Sequence, residues 1–166
     1  MSENFWVNLI GFQLVWWLSI LFGNAVILPV TFILLLHIFF HSQPGSELKV
    51  LFFSALLGFS VDLSLTLNGV FIFPDSHFPP LWLALLWFGF CATLQISLKY
   101  FSDRIPLAFL VGGLGGSSTY LAAAKLDAVE FGYGWLSTFL ILLVVWTFLY
   151  PLLIFLTRRI RRENLA

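Results

Sequence analysis

Asp62 is the one acidic residue set well inside a long apolar stretch of this chain. At helical spacing around it stand Ser54, Gly58, Thr66 and Gly69, all small or hydroxylated. A charged side chain at the centre of a bilayer costs about 2.5–3.5 kcal/mol on insertion scales, so a carboxylate kept there is paired, protonated or in use. Two chemistries follow. Asp62 could be a hydrogen-bonding hub between helices, or the polar group of a ligand- or proton-binding pocket. Gln13, halfway along the first apolar segment, and Thr66 and Asn68, on the same segment as Asp62, are the side chains that would complete such a pocket.

Other reactive patterns are incomplete. His37 and His41 share a helix face at i,i+4 spacing but lack a neighbouring carboxylate in the His-Glu-x-x-His arrangement, and Cys91 is the only cysteine. No metal site and no cofactor is expected. The glycine run from Gly112 to Gly116 lacks the Gly-Lys-Ser/Thr ending of a phosphate loop. Gly112 and Gly116 instead fit the small-xxx-small pattern of close helix contact, as Gly58 does in the third segment. No Gly-x-Ser-x-Gly elbow occurs, and one carboxylate does not make an acid–base pair. The balance leans away from an enzyme.

The elements that hold these residues follow from composition. Hydrophobic residues make up 60% of the chain and charged residues 10%, against about 25% charged in an ordinary soluble domain. A chain of 166 residues cannot bury that much apolar surface in water, so the bilayer must be its solvent. The formal net charge is zero, which gives no basic balance towards nucleic acid. The expected architecture is all-α: one integral membrane domain, a polytopic transmembrane bundle of six spans. They fall at about residues 5–22, 25–40, 49–71, 81–98, 105–123 and 135–156, each near the ~20 residues a span requires. Gly23-Asn24 breaks the first from the second, and the stretch from His41 to Glu47 is a loop rich in turn formers. The first segment lacks a basic leader and a clean cleavage site, so it is expected to stay as an anchor.

The third segment has two readings. From Val61 to Asn68 apolar and polar residues alternate strictly, and Asn68-Gly69 is a turn signal. Either the helix runs through Asp62, or it ends there and hands over to irregular backbone, which membrane depth tolerates only under protein or beside water.

Lysine and arginine accumulate in short cytoplasmic loops. With six spans Lys49, Lys99, Arg104, Arg158, Arg159, Arg161 and Arg162 fall on one side and only Lys125 on the other. Both termini are therefore expected in the cytoplasm, with Asp75, Asp127 and Glu130 mostly in outer loops. Trp16, Trp17, Trp82 and Trp135 fit interfacial belts. Arg158, Arg159, Arg161 and Arg162 form a membrane-surface cluster suited to anionic headgroups, or to docking of a cytoplasmic partner.

The opening run from Asn8 to Trp17, followed by Gly58-Phe59-Ser60-Val61-Asp62, resembles a family of small bacterial membrane proteins, domain of unknown function 2878. The resemblance implies a bacterial inner membrane, several spans, no assigned activity and genes near those of lipid-modifying enzymes. A weaker likeness, carried by the Gly58 to Asp62 fragment alone, links the chain to MreD-like six-helix subunits and vitamin-transporter components. The expected role is the first of three, with the other two as alternatives. The first is a non-enzymatic accessory or scaffold subunit of an envelope or lipid-related system, with a membrane-protein partner besides the bilayer. The second is a small transport or lipophilic-ligand-binding protein with a pocket around Asp62. The third is an intramembrane lipid-modifying enzyme.

Overall fold

The computed structural model describes residues 3–74 and 76–163; Asp75, expected in an outer loop, lies outside them. The first helix, α1 (Phe5–Phe22), starts where Asn4 Oδ1 accepts the backbone N–H groups of Trp6 and Val7, a cap worth about 1 kcal/mol. It ends at Gly23, whose φ of 54° suits glycine. A 3-10 turn (Gly23–Val26) leads into α2 (Ile27–Phe39). Together they form an apolar run of 35 residues, which as a straight rod would hold its ends roughly 50 Å apart. Instead Glu3 Oε1 accepts the Ser42 N–H at 2.7 Å. The run is therefore a hairpin closed at its base. Asn24 Oδ1 ties its tip to the Trp82 N–H at the start of α4 (Leu81–Cys91).

Helix α3 (Pro44–Leu67) runs unbroken through Asp62, and the turn falls at Asn68 and at Gly69, with φ 71°. It starts earlier than residue 49 and stops short of 71. The polar alternation does not force a strand because the side chains bond back along the helix. Ser60 Oγ donates to Leu56 O, Thr66 Oγ1 to Asp62 O and Asn68 Nδ2 to Ser64 O, at 2.7–2.8 Å. Such groups are satisfied without water. Beyond the turn, β1 (Phe71–Ile72) pairs antiparallel with β2 (Glu130–Phe131), a small exception to the all-α expectation at one end of the bundle.

The fourth segment departs most from a simple span. Only α4 is regular; residues 92–98 are successive turns before α5 (Lys99–Ser102). The exposed backbone is covered by protein. Asn8 Nδ2 donates to Ala92 O, Asn8 Oδ1 accepts from Ser97 N and Oγ, and Ser102 Oγ donates to Leu94 O. Next, α6 (Ile105–Val111), a π-helical turn (Gly112–Gly116) and α7 (Ser117–Lys125) make one rod. The last helix, α8 (Gly134–Glu163), has 30 residues and an internal Pro151.

Four apolar helical runs are long enough to cross a membrane: Phe5–Phe39, Pro44–Leu67, Ile105–Lys125 and Gly134–Glu163. Their outer faces carry exposed Leu28, Phe32, Phe39, Phe148 and Phe155, apolar surface that suits lipid and not water. One end of the bundle gathers Glu3, the His41–Gln43 loop, Asp103 and Arg158 to Arg161. The other gathers the hairpin tip, the β pair and the start of α4.

Candidate functional site

Asp62 is 1% exposed. Its Oδ2 accepts two hydrogen bonds, from Trp87 Nε1 and from Tyr120 OH, each at 2.7 Å. The donors come from α4 and α7, so one carboxylate oxygen of α3 fixes side chains from two other elements. Trp87 reaches Asp62 by lying across Gly58, where a Cβ would overlap its ring. Trp87 then stacks on Trp146 of α8, with centroids 5.4 Å apart and an interplanar angle of 7°. Tyr120 stacks on Phe71 at 4.9 Å. Phe90 meets both indoles edge-on.

The glycine run explains how α8 comes so close. A Cβ at Gly112 would stand 2.6 Å from Tyr150 Cβ, and one at Gly116 would overlap the Trp146 ring. The backbone adopts the wider π turn here, a local form frequent at functional sites. Ser117 Oγ, bonded to Gly113 O at 2.6 Å, covers a carbonyl of that turn.

These rings line a half-open cavity of about 230 Å³. Trp16, Trp82, Trp87, Phe90, Tyr120 and Trp146 contribute to its wall, with Gly112, Gly115 and Gly116 along one side. It lies where α1, packed on α2 and α4, faces the α6–α7 rod packed on α8. Its Tyr120 hydroxyl is already committed to Asp62, and Thr119 Oγ1 to Gly116 O. Tyr150 also lines the cavity, and its buried hydroxyl has no hydrogen-bond partner among the described residues. The wall is otherwise apolar and can hold hydrocarbon or an aromatic ring.

The four residues expected to bind a ligand separate. Thr66 is buried one turn from Asp62 and bonds its backbone carbonyl. Gln13 stands on the exposed side of α1, and Asn68 is an exposed C-cap. None of the four lines the cavity; Asp62 stands behind its wall and holds Trp87 and Tyr120 in place. Trp87 and Tyr120 were not singled out by sequence reasoning. The signal for Trp87 is the bare Gly58 on the stripe of Asp62, which calls for a large side chain from a neighbouring helix.

At the other polar centre the histidine pair does have a carboxylate. Glu47 Oε1 lies 2.9 Å from His37 Nε2, and Glu47 Oε2 lies 3.4 Å from His41 Nε2 and bonds Arg161. Among the described residues no group of three or more His, Cys, Asp or Glu is placed to hold a metal ion. The other arginines spread out. Arg158 bonds Ser102 O and Asp103 Oδ1, Arg159 pairs with Glu163, and Arg162 is exposed. Nearby, hydrogen bonds from Ser42 hold the Glu3 carboxyl below its usual range.

The model of one protein family, described as a protein of unknown function (DUF2878), matches residues 5–152. The chain belongs to this family. The matched DUF2878 region takes in all the residues around Asp62 and the cavity wall. It stops inside α8, before the arginine cluster. No curated protein and no solved structure matches the chain, and the likeness to MreD-like subunits is not carried by these comparisons.

Proposed function

We propose that this DUF2878 protein is a six-pass protein of the bacterial inner membrane that holds a lipophilic ligand, non-enzymatically, in the aromatic cavity. The cavity itself carries the reading. At about 230 Å³ it exceeds the ~150 Å³ apolar void that takes up benzene in an engineered protein. A ring, or a short stretch of an acyl or prenyl chain, fits it. Asp62 acts as a positioning residue, setting Trp87 and Tyr120 from behind. The scaffold role draws less support, because Gly112, Gly113 and Gly116 are already occupied by the chain's own α8 and are not a free docking face.

The six-pass arrangement is supported by the closed base of the α1–α2 hairpin. It is also supported by the reach that residues 92–98 add to the 11-residue α4, which alone covers only about 16 Å. Both termini then lie on the cytoplasmic face with seven of the eight basic residues.

The test uses bromobenzene as a ring-sized heavy-atom quencher of tryptophan fluorescence on the full chain in detergent. Saturable quenching is expected in the wild type. It should vanish in Gly115→Leu, because a Cβ at Gly115 meets nothing within 4 Å and the larger side chain fills the rim. Linear quenching that is identical in the two proteins would show partition into the micelle and end this reading.

A further inference from the structure

A second cavity, of about 480 Å³, opens at the end of the bundle where α1 begins and α8 runs out. It shares no lining residue with the aromatic cavity, and its test does not depend on that reading. Glu3, His41, Ser42, Gln95, Lys99 and Arg161 contribute to its wall. Helix α8, at 30 residues, is about 45 Å long. That exceeds a hydrocarbon core of ~30 Å, so its arginine-bearing end emerges at headgroup depth.

Two buried donors on this wall have no partner among the described residues: Arg161 Nε and Gln95 Nε2. Buried donors are almost always satisfied, so the two wall residues that carry these would gain from acceptor oxygens seated beside them. Arg161 is held with its Nη2 on Glu47, which fixes the guanidinium and leaves its Nε edge unused. Lys99 gives one bond to Asp103, and an ammonium has two more N–H groups to give. The charge balance narrows the ligand. Glu47 and Asp103 already face the two cations, while Glu3, whose Oε1 accepts from Ser42 N–H and lies 3.6 Å from His41 Nε2, places a carboxylate on the wall. A group bringing only negative charge would meet that carboxylate; a zwitterion would use it.

We propose that this cavity seats the headgroup of a zwitterionic phospholipid with a primary ammonium, of phosphoethanolamine type. Its phosphate oxygens accept from Arg161, Gln95 and Lys99, and its ammonium faces Glu3. The shared chemistry is an anionic phosphoryl group, and free phosphate is the rival source.

Native mass spectrometry of the delipidated full chain tests this, with titrations of dioleoyl phosphatidylethanolamine, dioleoyl phosphatidylglycerol and inorganic phosphate. One phosphatidylethanolamine per chain is expected, bound about tenfold or more tighter than phosphatidylglycerol, with no phosphate adduct. Gln95→Leu removes a donor that no internal hydrogen bond uses, so the fold stays intact while lipid retention drops about tenfold. Arg161→Gln should weaken retention further, and Glu3→Gln should abolish the preference between the two lipids. Equal retention of both lipids by the wild type overturns the proposal. So does a Gln95→Leu protein that binds as the wild type does, and so does phosphate binding that displaces lipid.

Discussion

The Asp62 anchor makes a prediction in which the sign of a mutational effect reverses. Replacing Asp62 by Leu in the wild type removes two hydrogen bonds. Bonds to a charged group are worth about 1.5–3 kcal/mol each, so roughly 3–6 kcal/mol is lost. Against this stands relief of the charge inside the bundle, about 2.5–3.5 kcal/mol on insertion scales. The net expectation is a destabilisation of order 1–2 kcal/mol. In a Trp87→Phe/Tyr120→Phe background neither donor exists, and the carboxylate is buried without them. There Asp62→Leu loses no bond and keeps the relief, so it stabilises by about 2.5–3.5 kcal/mol. Thermal unfolding in one detergent, compared across the four proteins, reads this directly. At about 2–4 °C per kcal/mol for a chain of this length, the midpoint falls in one background and rises in the other. If Asp62→Leu has the same effect in both, within about 0.5 kcal/mol, the two donors do not hold Asp62, and the account of the cavity wall fails with them.

Three further outcomes are expected. Gly116→Ala drives a methyl group into the Trp146 ring, and overpacking of this kind costs about 1–3 kcal/mol; it should also shift the tryptophan emission of the Trp87–Trp146 stack. Asn8→Ala leaves Ala92 O and Ser97 N without their partner, and at about 1–3 kcal/mol per orphaned group hydrogen exchange should accelerate across residues 92–98 before it does in α3 or α8. The third outcome concerns Asp103, whose carboxyl is held below its usual value of 3.8 by the hydrogen bond from Lys99 and then by the charges of Lys99 and Arg158. A lowered folded value means the contribution is complete above the ordinary carboxylate range and is lost as pH falls through that lowered value. Asp103→Asn should therefore be less stable than the wild type at pH 7, and the gap should close below roughly pH 4 in a pH series of melting curves.

Helices apolar enough to cross a membrane were legible because charge is excluded from almost the whole chain. Gly23-Asn24 and the turn from His41 to Gln43 were legible because glycine and polar residues have few other uses there; the loop does not reach Glu47, because Pro44 to Glu47 open α3, whose first turn accepts a proline at little cost. Asp62 stood out through its cost. Its partners did not, because Trp87 and Tyr120 lie 25 and 58 positions away among many aromatics, and each of those reads alone as a lipid anchor. The alternation from Val61 to Asn68 pointed two ways because periodicity cannot show that hydroxyl and amide groups will bond to the preceding turn. Gln13 matched Asp62 in depth but not in facing, since depth along a helix says nothing of rotation about it. The early end of α4 was hidden because residues 92–98 hold no glycine, proline or charge, and Asn8, which permits the irregular backbone, comes from the first helix.

That debt to Asn8 has a consequence for biogenesis. In the six-pass arrangement proposed above, residues 92–98 would emerge from the insertion machinery with peptide groups that acyl chains cannot solvate. Asn8, synthesised 84 residues before Ala92, would then stand in the membrane before they arrive. On that reading the amino-terminal hairpin would act as an intramolecular chaperone for the middle of the polypeptide, and truncating it should leave the fourth segment stranded at the interface.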